Sequence, residues 1–265
     1  LKDLANAETD LKRATNDLGN TRIADLFSEC EGDDLVQVIS AAIDMTPENL
    51  DLRAVRSDWL ARAARWQEAL QDEIELARFD RYADRCVRLT LLLAVAGKEE
   101  EYKQQRRILL ESMKAEPRPT PKEVIACLVR PTTPGELAQI EKVYQWYPTL
   151  PVPALSDPYQ REQKRIDGML EYRRADYHKA IKLLTSAAEH ELKLDEEWMV
   201  ASARRRAAAS SAYLARAVYR VGRVSEAKAA LQQARDLFDR RDVDRWGGEL
   251  YTEIALQEAG QLVTP

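Results

Sequence analysis

Few residues of this chain are spaced for covalent chemistry. Its two histidines, His178 and His190, lie twelve positions apart among Lys and Glu. With no cysteine beside them and no His-x3-His pairing, they do not read as metal ligands. Cys30, Cys86 and Cys127 stand 56 and 41 residues apart with no Cys-x-x-Cys. Set among apolar or helical neighbours, they fit buried thiols in a reducing compartment. Ser210-Ser211 lies between alanines with no recognisable base, so it reads as helix packing. Gly247-Gly248 is a lone pair rather than a phosphate-cradling loop. Glu99-Glu100-Glu101 and Asp195-Glu196-Glu197 fall at helix beginnings, where carboxylates favour the positive end of the dipole. No catalytic residue, cofactor or metal is therefore expected, and the chain reads as a non-enzyme.

One constellation rises above this background, and it is basic and aromatic. Tyr172-Arg173 follows Arg165, and Tyr219-Arg220 follows Arg216, with Arg204-Arg205-Arg206 upstream. Arginine pairs bidentately with carboxylate or phosphate, and tyrosine adds rigid contact area. The competing reading is internal. Arginines of a helical protein routinely pair with Asp and Glu on the same or adjacent helices.

Helices must position these residues. Glycine (9) and proline (11) are scarce among 265 residues, and no stretch alternates at period two long enough to demand a sheet. Charged residues make up 32% and are spread rather than blocked, which suits a folded helical chain. The net charge of −5 is uneven. Residues 1–156 carry 21 Lys+Arg against 27 Asp+Glu; residues 157–265 carry 19 against 18, and 14 of those 19 are arginine. A nucleic-acid binder would show a basic excess, so that partner is disfavoured, while an acidic peptide meeting a local arginine cluster is not. The longest apolar run, Leu89 to Gly97, falls well short of the roughly 20 residues that span a bilayer. No membrane contact is expected of this segment, and a cytoplasmic location is. The chain opens on Leu1 without a methionine and reads as a segment of a longer protein.

A short phrase recurs along it. Ala63-Ala64-Arg65-Trp66-Gln67-Glu68-Ala69-Leu70 returns as Arg174-Ala175-Asp176-Tyr177-His178-Lys179-Ala180-Ile181 and as Val221-Gly222-Arg223-Val224-Ser225-Glu226-Ala227-Lys228. Placing the recurring alanine at position 20 of a 34-residue unit puts Leu35, Ala69 and Tyr102 in register, 34 and 33 residues apart. Ala180 and Ala227 define two later units. Gly168 then falls at position 8, Tyr177 at 17 and Ala187 at 27; in the last unit Gly222 falls at 15, Leu231 at 24 and Ala234 at 27. Small residues at such positions let helices approach closely.

These residues resemble the tetratricopeptide repeat, a helix pair with small residues at positions 8, 20 and 27. The resemblance covers roughly residues 16–116 and 158–240. It implies an all-α fold, a right-handed superhelical array of antiparallel helix pairs. The run from Trp66 through Leu110, the Ile125-Ala126-Cys127-Leu128 helix and Gly168-x3-Tyr172-Arg173-x3-Tyr177-x2-Ala180 are similar to the C-terminal repeat module of large bacterial proteins bearing eukaryotic-like Ser/Thr kinase domains or WD-repeat propellers. That implies a non-catalytic interaction scaffold appended to a signalling protein. None of the kinase signatures occurs here.

Five stretches follow from this register. Residues 1–28 read as an N-terminal helix with Leu4, Leu11 and Leu18 at heptad spacing, either an ordinary first helix or a coiled-coil stalk that would make the chain a homo-oligomerisation module. Residues 29–116 and 158–240 carry the repeats. Between them, 117–157 is proline-rich and encloses two short amphipathic helices, Lys122–Val129 and Pro134–Tyr147, each opened by a first-turn proline. The extended Trp146–Pro153 segment reads as a structural elbow. Residues 241–265 supply a terminal capping helix, expected over Val243–Leu262. In the resembled fold the first helix of each unit lines a concave groove. Arg165, Tyr172, Arg173, Arg216, Tyr219 and Arg220 then become the candidate peptide-binding residues, for an acidic protein or peptide or another domain of the parent chain.

Overall fold

The computed structural model describes residues 33–79, 83–115, 120–145, 157–193, 197–238 and 248–263. The helix expected over 1–28, Cys30 and the Trp146–Pro153 elbow lie outside the described residues. Among the described residues the chain is all-helical, with twelve helices and no strand. It divides into two compact units, Leu1–Arg81 and Tyr82–Pro265, a boundary inside the stretch 29–116 that the sequence reads as one repeat block.

The first unit holds α1 (Asp33–Met45), α2 (Leu50–Arg62) and α3 (Trp66–Phe79). The α1 stripe Leu35, Val38, Ile39, Ala42 and Ile43 buries against Leu52, with Val55 and Trp59 of α2 closing the cluster. Asn49 starts α2 by accepting the backbone N–H groups of Asp51 and Leu52 at 3.1 and 3.2 Å, which satisfies two donors that have no partner within the helix.

The second unit comprises α4 (Ala83–Val95), α5 (Glu99–Ala115), α6 (Pro121–Leu128), α7 (Pro134–Tyr144), α8 (Asp157–Arg173), α9 (Tyr177–Glu191), α10 (Glu197–Arg220), α11 (Val224–Leu237) and α12 (Gly248–Val263). Pro121 and Pro134 do open their helices, where a missing N–H costs nothing. Thr133 and Glu136 form a reciprocal capping box at the start of α7. The α6 helix is not the amphipathic element expected of it. Glu123 through Val129 are all buried, because α6 is enclosed by α4, α5 and α8. The α10 helix is 24 residues long, which accommodates the wide spacing between Ala180 and Ala227.

Within each unit consecutive helices pack in order, and in the second unit alternate ones also touch: α4 on α6, α6 on α8, α8 on α10. The last helix closes this row. It packs on α10 and α11, its neighbours in sequence, and also on α4, at the far end of the row.

The same turn joins four of the helix pairs. Ala64, Gly97, Ala175 and Gly222 all have positive φ, between 57° and 82°. In each case the next residue donates back five positions: Arg65 to Leu60, Lys98 to Leu93, Asp176 to Glu171 and Arg223 to Val218, at 2.8–3.2 Å. The left-handed residue itself donates back three, giving the Schellman pattern that satisfies orphaned helix carbonyls. All four fall at position 15 of the 34-residue register. Position 20 (Ala69, Tyr102, Ala180, Ala227) is fully buried, as is position 8 (Ser57, Thr90, Gly168, Ala215). Gly168 has no room for a side chain: a Cβ there would lie 2.7 Å from Leu184 Cγ. Where tyrosine replaces the small residue, Tyr102 uses its length to donate to Ala126 O of α6 at 2.9 Å.

Candidate functional site

Helices α8 and α10 carry the arginines and tyrosines that the sequence singles out, and the structure brings four of the six inside. Tyr172, Arg173 and Arg216 converge near the ends of α8 and α10. There they meet Arg130, which follows α6, Tyr213 of α10 and Glu258 of α12. Arg216 Nη1 lies 2.5 Å from Glu258 Oε2, Arg130 Nη1 lies 3.3 Å from Oε1, and Arg173 Nη2 lies 3.9 Å from Oε2. The exposed fractions of these side chains are 5% for Arg216, 16% for Arg130, 6% for Arg173 and 9% for Glu258. Among the described residues, Glu258 is the one carboxylate that pairs with these three cations.

The remaining guanidinium donors are met by carbonyls and rings. Arg173 donates twice to Leu128 O, at 3.0 and 2.6 Å, and Arg130 donates to Ala94 O of α4 at 2.6 Å. The Arg216 guanidinium carbon sits 4.6 Å from the Tyr172 ring centroid and 4.9 Å from that of Tyr213. The two rings meet edge-on at 6.2 Å. Negative ring faces partly offset the uncompensated cations. Burial works against the Arg216 charge, yet Glu258 and the tyrosines outweigh it and hold its pKa above the ordinary value. Burial raises the Tyr213 pKa, which keeps the phenol neutral.

Arg165 occupies a second buried site on α8. It pairs with Glu162 one turn earlier and stacks 5.1 Å from the ring of Tyr251 on α12. Nearby, Arg206 of α10 donates to Glu191 Oε1 at 2.9 Å. Tyr219 is half-buried and Arg220 exposed at the end of α10, so these two stand apart from the buried cluster. The internal pairing weighed for the arginines thus describes Arg165, Arg173 and Arg216, with α12 supplying Glu258 and Tyr251.

Arg130, Tyr213 and Glu258 complete the cluster, and sequence reasoning passed over all three. A signal existed for Glu258. It continues the Leu250–Ile254 stripe at four-residue spacing on a helix that is otherwise mostly apolar, and a carboxylate in such a place needs a cationic partner.

Little else offers chemistry. Among the described residues no group of three or more His, Cys, Asp or Glu could hold a metal, and no helix is long and apolar enough to cross a membrane. Cys127 is buried within α6 as a free thiol, and Cys86 is half-buried. Burial pushes the Cys127 thiol well above its usual pKa, the state of an inert structural cysteine. No protein-family model matches the chain, and no curated protein matches it.

Proposed function

We propose that this chain is a non-catalytic protein–protein interaction scaffold of tetratricopeptide type, its helix pairs forming a right-handed superhelical array. It works in the cytoplasm as part of a larger bacterial signalling protein and takes an acidic protein or peptide as partner. The repeat reading is supported by the identical turns at Ala64, Gly97, Ala175 and Gly222, and by the buried small residues at fixed spacing from them. The choice of partner rests on one observation. Arg130, Arg173 and Arg216 surround a single carboxylate presented by a helix, with Tyr172 and Tyr213 backing the cations. Fixed arginine forks on rigid elements recognise carboxylates, and the aromatic rings supply contact area.

An array of helical peptides that differ in the number and placement of acidic residues tests this reading. The chain is applied to it at low and at high salt. Selective capture of acid-bearing helices that weakens as salt rises is the expected result. A preference for basic peptides, or indifference to charge, would defeat it.

A further inference from the structure

The last helix behaves as more than a lid on the final helix pair. A terminal cap buries one face and leaves the other in water. Helix α12 is instead enclosed on most sides: Leu250, Thr252, Glu253, Ile254, Ala255, Ala259 and Val263 are all buried. It spans from α10 and α11 back to α4, filling the row that α4, α6, α8 and α10 would otherwise leave open. A helix buried on most of its sides, polar residues included, is one surrounded by protein.

Its polar contacts are those of a ligand. Glu258 stands where an apolar residue would continue the Leu250–Ile254 stripe, and it engages arginines from three separate segments: Arg130 after α6, Arg173 on α8 and Arg216 on α10. Those cations do not need α12 to be held in place. Arg173 is fixed by Leu128 O, Arg130 by Ala94 O, and Arg216 by the Tyr172 and Tyr213 rings. The receiving side is therefore organised by its own helices. It is also under-neutralised: three guanidinium groups face one carboxylate, and an uncompensated buried charge is expensive.

We infer that α12 is a displaceable ligand in cis of a helix-binding site lined by α4, α8, α10 and α11, with Arg130 after α6 at its edge. The site accepts an amphipathic helix that carries a carboxylate within its apolar stripe. This rests on the scaffold reading above, since the foreign occupant would be a partner's acidic helix. A partner helix with a second carboxylate near the first neutralises more of the arginine charge than α12 does, and so displaces it.

Cutting and exchange on the whole chain tests the inference. A specific protease site is placed between Phe238 and Gly248, α12 is severed, and a labelled peptide of residues 248–263 is added. The cut chain is expected to keep its helical circular dichroism and to take up the labelled peptide. The Glu258→Gln version should bind roughly tenfold or more weakly, as truncating one member of a buried charge pair does. Loss of helix on cutting, or refusal of the labelled peptide, makes α12 a permanent part of the fold and overturns the inference. Equal binding of the two peptides overturns the carboxylate anchor. Unrelated acid-bearing helices complete the design. If they bind the chain without displacing the label, the scaffold reading stands and this inference fails. If the label exchanges but no foreign helix competes, α12 is removable but has no rival, and the scaffold reading falls together with the partner helix inferred from it.

Discussion

Each unit contains a carboxylate held by more than one arginine, and the two sites do different work. In the first, Asp72 of α3 receives a bidentate pair from Arg56 of α2 at 2.7 and 2.6 Å, with Arg53 3.7 Å away. Arg56 also donates to Ser40 of α1 at 3.0 Å, so the site laces three successive helices. Its side chain is 21% exposed, and water shares the load. The Asp72 hydrogen bond, acting with the carboxylate charge, raises the Arg56 pKa. In the second unit, Glu258 is met by arginines 42, 85 and 128 residues earlier in the chain; Arg216 and Arg173 are nearly excluded from solvent and Arg130 is 16% exposed. One site staples neighbours that would pack together anyway. The other forms only once the row of helices has closed on its last member.

Removing the two carboxylates should separate these roles. Glu258→Gln leaves three largely buried guanidinium groups without a counter-charge, and breaking a buried pair in this way costs about 3–5 kcal/mol. It should show as a large fall in denaturant midpoint. Asp72→Asn keeps the shape and one hydrogen-bond acceptor, and Arg56 reaches water, so about 1–3 kcal/mol is expected. Equal losses would mean that the second cluster is as local as the first.

This contrast also marks what was legible in the sequence. Three of the four turns were legible because the left-handed residue and the alanine five positions later recur together. Backbone strain and close helix approach restrict both positions whatever surrounds them. The all-helical class followed from scarce glycine and proline and from apolar spacing. Glu258 was harder to read, because its partners come from helices that only tertiary structure brings together. For the same reason Arg173 and Arg216 could be chosen as a site by residue type and yet be read as facing solvent. Nothing in their spacing says that a helix more than thirty residues later comes to cover them. The α6 helix escaped similarly: eight residues with two charges in the first turn do not announce burial on every side.

The four shared turns give a smaller and more even effect. Gly97 and Gly222 have φ of 72° and 82° and nothing within 4 Å of an added Cβ, so replacement strains the backbone alone. Gly222→Ala should cost about 1 kcal/mol, and Ala175→Gly should gain up to about 1 kcal/mol by relieving the same strain. Ala64→Gly in the first unit should match Ala175→Gly in the second. Chemical denaturation of the three variants checks this. Unequal gains at Ala64 and Ala175 would show that tertiary context, rather than the turn, sets the energy.

The smallest effect is expected where the two units look most alike. Immediately after the left-handed residue, Arg65 pairs with Glu68 in the first unit and Arg223 pairs with Glu226 in the last repeat, each with an Nε–Oε1 distance of 2.7 Å. The arginine hydrogen bond lowers the carboxylate pKa in both cases. A depressed carboxylate pKa contributes stability above the unfolded value, and the contribution fades as pH falls through the folded one. These side chains are exposed, however, and solvent and salt screen such pairs until little remains. Glu68→Gln and Glu226→Gln should therefore leave the unfolding midpoint unmoved at neutral pH. NMR titration of the two carboxylates should still find both below the usual range at low salt, with the depression shrinking as salt is added. A stability loss on either substitution would show that the pair braces the turn rather than decorating it. Because the turn recurs at four places, the same bracing would then be expected wherever an acid follows the left-handed residue by four positions.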